Sequence, residues 1–379
     1  MALTLNEEQT MLRDSAREFL QQRAPVQHLR SLRDDESATG MCADLWREMT
    51  ELGWPAIAID ESDGGLGFGF TGLGIVLQET GRTLTPSPLL TSAMMSAAAI
   101  RHGASATQRE TWLPDIAAGQ SILVPACDEQ TRHNPEAIET RIENHGGELK
   151  LTGARRHVPD GMAADAFLVS ARNEEGDIVL VRVAANATGL AREPVRLLDT
   201  HIGAHLRFDA ISLSADDVLG GPGDRSATLH HLLDTGVIGQ SAELLGVASE
   251  AFERTLNYLR ERKQFGVPIG SFQALQHRAA DLCNDLELGT SLVLHALHRL
   301  DQPGGGNELP SLSETASMTK ARLAAIAMRA TAEAIQMHGG IGMTDEFDIG
   351  FFYKRARILE TLLGDRHFHL DRFARLRGY

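Results

Sequence analysis

The chain has 379 residues, 42% hydrophobic and 23% charged, enough to bury a full core and more than one core serves well, so two or three domains are expected. Asp and Glu number 51 against 36 Lys and Arg, and a net charge of −15 repels nucleic-acid backbones and anionic membrane surfaces. Cys42, Cys127 and Cys283 stand too far apart for a CxxC metal pair or a disulfide framework, which points to a reducing compartment.

The segment MALTLNEEQTML has neither the basic start nor the apolar run of a signal peptide, and Thr4 with Glu7 reads as a helix capping box. Leu12, Ala16, Phe19 and Leu20 recur at helical spacing, as do Leu45, Met49 and Leu52. A glycine-rich stretch, Asp63 to Gly74, precedes a helical run from Ile75 to Thr83; Pro86 and Pro88 then break the chain before a small-residue helix, Leu89 to His102. The most apolar window, Leu89 to Ile100, falls short of the ~20 residues that span a bilayer, and a soluble cytoplasmic protein is expected.

From about Gln120 to Gly223 short β-prone runs alternate with turn residues. They include Ile122 to Val124, Glu148 to Leu151, AFLVSA and DIVLVRV, with HGG and EEGD as hairpin connections and GGPGD (Gly220 to Asp224) closing the region. Beyond Arg225 the pattern is helical again. Leu275, Ala279, Leu282 and Leu286 mark one amphipathic face; Leu323, Ile326, Ala330 and Met337 mark another. Between them DQPGGGNELP (Asp301 to Pro310) reads as a flexible connection ending at a capping box, Ser311 to Glu314, as in an antiparallel bundle. The expected domains are 1–119 (helical), 120–223 (β) and 224–379 (helical bundle).

Three motifs could carry chemistry. Gly67, Gly69 and Gly72 satisfy GxGxxG, but no parallel strand follows soon enough for a dinucleotide fold, and a plain glycine-rich loop is the better reading. Arg260 to Leu282 places cations at a helix end, then a turn, then Gln273 and Gln276 opening another helix. Arg262 there could clamp a phosphate and Phe265 could pack against an apolar ring; a basic helix end complementing the macrodipole is the plainer alternative. Gln336 to Phe347 ends a long helix at Gly339, Gly340 and Gly342, whose amides can approach an anion or simply form a C-cap. His367 and His369 alternate without a supporting acid or Cys cluster, so no metal site is expected.

In combination, RKQFGVPIGSFQALQ (Arg262 to Gln276) and QMHGGIGM (Gln336 to Met343), within an order of helices, strands and helices, resemble the acyl-CoA dehydrogenase family along the whole chain. The resemblance implies a mainly α fold with a central β-barrel-like domain, an N-terminal helical domain and a C-terminal four-helix bundle. It also implies FAD held between subunits of a dimer or tetramer, an acyl-CoA substrate, and electron-transferring flavoprotein as acceptor. By position, Arg262 and Gln273 would contact a neighbouring subunit's FAD at its diphosphate and adenosine part. Gln336, Gly339 and Gly340 would line the same cofactor. In the family reaction a carboxylate removes the α proton while the β hydride passes to the flavin.

The sequence departs from the family at the base. The family's Tyr-Glu-Gly-Thr aligns with Leu362, Leu363, Gly364 and Asp365, so Leu363 replaces the Glu, and an alternative base position on an earlier helix holds Gly236. A base of this kind needs a carboxylate within hydrogen-bond reach of the α proton. Asp365 is the nearest candidate, with a structural or FAD-contact role preferred for it, and Glu243 and Glu360 are poorer ones. Val124 to Ala137 keeps almost nothing of the family's polar stretch, and His157 and Pro159 stand where Trp and Thr normally meet the flavin; Pro159 lacks both hydroxyl and N–H. These losses resemble the smaller subunits of heteromeric acyl-CoA dehydrogenases from bacterial steroid side-chain and dicarboxylic-acid breakdown. The leading expectation is therefore one subunit of a hetero-oligomer acting on a bulky acyl-CoA. Two alternatives are an autonomous homo-oligomer with Asp365 as relocated base and a non-catalytic scaffold. Residues 351–379 carry 7 bases against 3 acids, and this positive charge is expected to face diphosphates or a partner.

Overall fold

The computed structural model describes residues 4–35, 39–221, 223–302 and 310–379. Most of the expected DQPGGGNELP connection, and Pro222 of GGPGD, lie outside the described residues. The chain opens with α1 (Glu7–Arg23), α2 (Val26–Asp34), α3 (Ala43–Glu51) and α4 (Gly69–Thr83). A π-helix, Leu89–Ser96, continues as α5 (Ala97–Gly103), and α6 (Ala106–Ala117) follows. Seven strands come next: β1 (Leu123–Ala126), β2 (Arg141–His145), β3 (Glu148–Pro159), β4 (Ala166–Arg172), β5 (Ile178–Ala184), β6 (Leu190–Arg196) and β7 (Ile202–Leu213). The last part holds α7 (Ser226–Glu261), a small hairpin of β8 (Lys263–Gln264) and β9 (Val267–Pro268), then α8 (Gln273–Asp301), α9 (Leu312–His338), α10 (Ile349–Thr361) and α11 (Arg366–Leu376).

Two compact units result. One takes residues 1–30, 74–85 and 237–379, the other 31–73 and 86–236. In the first, α4 meets α7 at backbone distance. A Cβ on Gly81 would lie 2.3 Å from the Glu243 carbonyl oxygen, and one on Gly246 would lie 1.9 Å from that of Gln78. Only glycine fits at either position. Leu323, Ile326, Ala330 and Met337 are buried as their spacing required, and Ser311 with Glu314 forms the expected capping box on α9.

In the second unit the sheet runs β1-β4-β2-β3-β7-β6, with β5 also on β4. The hairpins read from HGG and EEGD join β2 to β3 and β4 to β5, both antiparallel. β6 and β7 were not legible. β6 carries Pro194, which a strand tolerates here because β6 is an edge pairing only with β7. β1 pairs with β4 alone in the sheet, and the π-helix completes its bonding: Leu123 N–H donates to the Ser92 hydroxyl (3.1 Å), and the Ser96 hydroxyl donates to the Leu123 carbonyl (2.8 Å).

Two local expectations are corrected. The α1 cap is Asn6, not Thr4: its side chain accepts from Gln9 N–H at 2.8 Å and Gln9 reaches back at 3.1 Å, because the helix begins at Glu7. The glycine-rich stretch is not all loop, since α4 begins at Gly69. Gly74 lies inside that helix because a Cβ there would stand 2.4 Å from Leu297 Cδ2.

Arg155 is the buried hub of the β unit. Its guanidinium donates to the Ala126 carbonyl (2.9 Å), Glu129 (2.6 Å), the Thr140 hydroxyl (2.5 Å) and the Ser170 carbonyl. Burial works against the Glu129 charge, yet the amides of Thr140 and Glu139, the Thr140 hydroxyl and Arg155 hold its carboxyl below the usual range. Arg155→Leu strands that carboxylate and several carbonyls, and is expected to lower the unfolding free energy by about 3–5 kcal/mol. Denaturant titration of the two proteins measures the difference.

Candidate active site

The two motifs read more than sixty residues apart converge at one end of the bundle. Tyr258, in the last turns of α7, stacks on His338 at the end of α9 with ring centroids 4.4 Å apart, and its hydroxyl donates to the His338 carbonyl at 3.4 Å. His338 Nδ1 donates to the Ala334 carbonyl (2.7 Å), so Nε2 is the bare nitrogen, buried and without a partner among the described residues. Burial holds this imidazole below its ordinary pKa. Nothing in the spacing singled out Tyr258 or His338 as the joint.

From this end the predicted residues project. The β8–β9 hairpin is closed by Ile269 N–H to the Arg262 carbonyl (2.8 Å) and pressed against α7, since a Cβ on Gly270 would lie 2.8 Å from the Leu259 carbonyl oxygen. Phe265 sits at its tip at φ 56°, 91% exposed, edge-on to Phe272. Phe265 and Gly266 (φ 80°) form the two-residue hairpin turn, which needs positive φ at both positions and so presents the Phe265 ring to solvent. The side chains of Arg262, Gln273 and Gln336 are exposed and have no hydrogen-bond or ionic partner among the described residues. Gly339 (φ 67°) and Gly340 are exposed too, with no atom within 4 Å of a built Cβ.

The C-terminal bases behave differently. Arg355 pairs with Glu243, Arg357 with Glu360, Arg375 with Asp371 and Arg377 with Glu314, while Lys354 lies 5.5 Å above the Phe351 ring. Much of the positive charge expected to face an anion is thus neutralised within the chain.

At the expected base turn every nearby acid is engaged. Asp365 is the N-cap of α11, its carboxylate accepting from Phe368 N–H at 2.8 Å; Glu243 accepts from Arg355 at 2.8 Å; Glu360 accepts from Arg357 at 2.6 Å. Leu363 itself adopts φ 57° and Gly364 φ 98°. Two side chains hold this turn by its carbonyls. Lys320, fully buried on α9, donates to Leu359 O (2.5 Å), Leu362 O (2.9 Å) and the Gln240 side-chain oxygen, and His369 Nε2 donates to Leu363 O (2.9 Å). Burial pushes the Lys320 ammonium down to about 7 against the pull of Glu360, Glu243 and Asp365. A lysine within the apolar stripe of α9 was the sequence signal for it, and it was missed. In the other unit, the alternative base position is closed: a Cβ on Gly236 would stand 2.7 Å from both Sδ and Cε of Met95.

The β unit shows where its atypical residues go. Asp128 binds His133 Nδ1 (2.9 Å) and Asn134 N–H (3.2 Å); β3 is bulged between Arg155 and Val158, with His157 at φ 52° and its N–H donated to His205 Nδ1 (3.2 Å).

Comparison with known proteins bears on the family and the fold. Residues 6–120 match the N-terminal domain model of acyl-CoA dehydrogenase, and residues 228–376 match the C-terminal domain model. The chain is 31% identical over 336 residues to acyl-CoA dehydrogenase FadE27 of Mycobacterium tuberculosis, covering 88% of this chain and 87% of the relative. The chain belongs to the acyl-CoA dehydrogenase family. It is also 31% identical over 369 residues to acyl-CoA dehydrogenase IpdE2 of the same organism, covering 95% and 94%. Among solved structures it is similar to a variant of the Tcur3481-Tcur3483 steroid ACAD (TM-score 0.88, 30% identity, 99% and 98% covered). A second similar structure is the ChsE4-ChsE5 complex of M. tuberculosis (TM-score 0.89, 26% identity, 100% of each chain).

Acyl-CoA dehydrogenases are oxidoreductases acting on the CH–CH bond of an acyl-CoA, with FAD as cofactor. The residues here fit FAD unequally. The open donors of Arg262, Gln273 and Gln336 and the unobstructed Gly339 and Gly340 backbone suit an anionic diphosphate. In the β unit, Pro159, which the family resemblance sets where a flavin contact is expected, offers no donor, so that end fits poorly.

The lysine gives a prediction with a definite sign. Between about pH 7 and the ordinary lysine value of 10.5 the unfolded chain binds a proton that the folded chain does not. This group therefore makes unfolding free energy rise with pH across that window. Lys320→Met should flatten that part of the profile, measured by denaturant unfolding at pH 7 to 10.

Proposed function

We propose that this chain is the base-lacking subunit of a hetero-oligomeric acyl-CoA dehydrogenase acting on a bulky acyl-CoA, with family domains at 1–119, 120–223 and 224–379. The observation that carries the reading is the base turn, where Leu363 replaces the carboxylate and Asp365 is committed to capping α11. The partner subunit would supply the base. Arg262 and Gln273 would hold the diphosphate and adenosine part of FAD bound to that neighbour, Phe265 would pack on an apolar ring, and Gln336, Gly339 and Gly340 would line the same cofactor. When bound, FAD accepts the β hydride. The steroid ACAD and the two-component complex among the similar structures support a large acyl group and a second subunit. Electron-transferring flavoprotein would take the electrons, in the cytoplasm.

Purified alone, the chain should be colourless and inactive; co-expressed with an acyl-CoA dehydrogenase from an adjacent gene it should yield a yellow complex. A yellow protein that oxidises an acyl-CoA unaided sinks the proposal. In the complex, Arg262→Ala removes a charge-assisted contact and should weaken FAD retention about tenfold or more, read from released flavin fluorescence.

A further inference from the structure

The turn at 362–365 is more tightly determined than a connection between two helices requires. α10 already ends at Thr361 and α11 already has its cap in Asp365. Yet Lys320 spends a fully buried ammonium on Leu359 O, Leu362 O and Gln240, and a buried His369 holds Leu363 O, with Ser317 behind its other nitrogen at 3.4 Å. Gly364 admits no side chain, because a Cβ would stand 2.5 Å from Phe368 Cδ1 and 3.0 Å from His369 Nε2. The result is a leucine kept left-handed, a conformation that is unfavourable for a side chain of this kind and persists only when its surroundings impose it. The bonds that reach the turn itself, from Lys320 to Leu359 O and Leu362 O and from His369 to Leu363 O, end on backbone carbonyls. None depends on which side chain position 363 carries.

We infer that Lys320, Gln240 and His369 are positioning residues that preserve an intact mount for a catalytic carboxylate, lacking only the carboxylate, so that Leu363→Glu by itself gives this chain a working base. The inference rests on the acyl-CoA dehydrogenase reading above. In the step concerned the introduced carboxylate forms an O–H bond as the α C–H bond of an acyl thioester breaks. The electron pair stays on the thioester as its enolate, and the proton returns to carbon or exchanges with water. No oxidant takes part, so proton transfer is measurable without turnover. Gly236 offers no second mount, because Met95 fills the space a side chain there would need.

The test follows α-proton exchange of butyryl-CoA in D2O by mass spectrometry, using the full-length chain purified by itself, with butyryl-CoA binding measured in parallel by calorimetry. Leu363→Glu should raise exchange about a hundredfold over the wild type, the scale of a positioned general base. Adding Lys320→Met should remove at least a tenfold part of that gain while leaving butyryl-CoA affinity unchanged, a split that a general loss of structure would not give. Should Lys320→Met fail to fold, Gln240→Leu takes its place with the same expectation. A Leu363→Glu chain that binds butyryl-CoA and exchanges at the wild-type rate overturns the inference, as does full exchange retained after the second substitution. A Leu363→Glu chain that binds no CoA ester also overturns the inference, whereas the reading on which it rests falls to a different result, a wild-type chain that oxidises an acyl-CoA unaided.

Discussion

A lysine ammonium sealed among helices is the constraint on which the C-terminal unit depends. Its desolvation is unfavourable enough to pull its pKa several units down, and it persists because three oxygens converge on it from α7, the end of α10 and the following turn. Those bonds satisfy helix C-terminal carbonyls that would otherwise be orphaned in an apolar interior. The same site draws in Arg355 and Glu243, whose buried pair ties α10 to α7 beside the Gly81 contact. Helix register, the turn geometry and the buried ion pair thus form one arrangement.

The charge distribution separates what the chain keeps for itself from what it exposes. Arg17, Arg82 and Arg254 all meet Glu79 or Glu250, and Arg254 also reaches Asp348, which pairs with Arg30. These cations, like much of the C-terminal set, serve the interior packing of α1, α4, α7 and α10. Arg262 stands apart on the surface at the base of a hairpin with its guanidinium unspent among the described residues, near an exposed aromatic at the hairpin's tip. A net charge of −15 says nothing of this. Local pairing, not the sum, decides where an anion can be received.

Much of the fold was legible where a pattern repeats locally. The faces of α8 and α9, the Ser311 cap and the hairpins of β2 with β3 and β4 with β5 follow from side-chain period and turn chemistry, which are properties of neighbouring residues. β6 and β7 were hidden because Pro194 and the small residues of β7 blur alternation, and the pairing of β7 with β3 depends on chain far away. The site was legible as residue types and not as an arrangement. Arg262, Gln273 and Gly339 could be named from motif spacing, whereas the Tyr258 and His338 stack that brings their segments together lies between residues 80 apart. Lys320 was overlooked because a single lysine in an apolar stripe reads as a snorkelling surface residue until its acceptors are seen.

The turn at 362–365 shows how the residue at its centre can vary without loss of fold. Lys320 and His369 act on the turn's carbonyl oxygens, which every residue type supplies. The conformational requirement at 363 is met by leucine as by glutamate, both unbranched at Cβ, and the glycine that the turn cannot lose is the next residue. Substitution at 363 therefore alters chemistry while leaving stability nearly untouched. The β unit reached a different end, because its atypical acids and histidines bond to one another and to bulged backbone, and recovering donors there would require rebuilding a strand. Position 363 is distinguished by one side chain, whereas the contacts of the β unit are set by the path of a bulged strand.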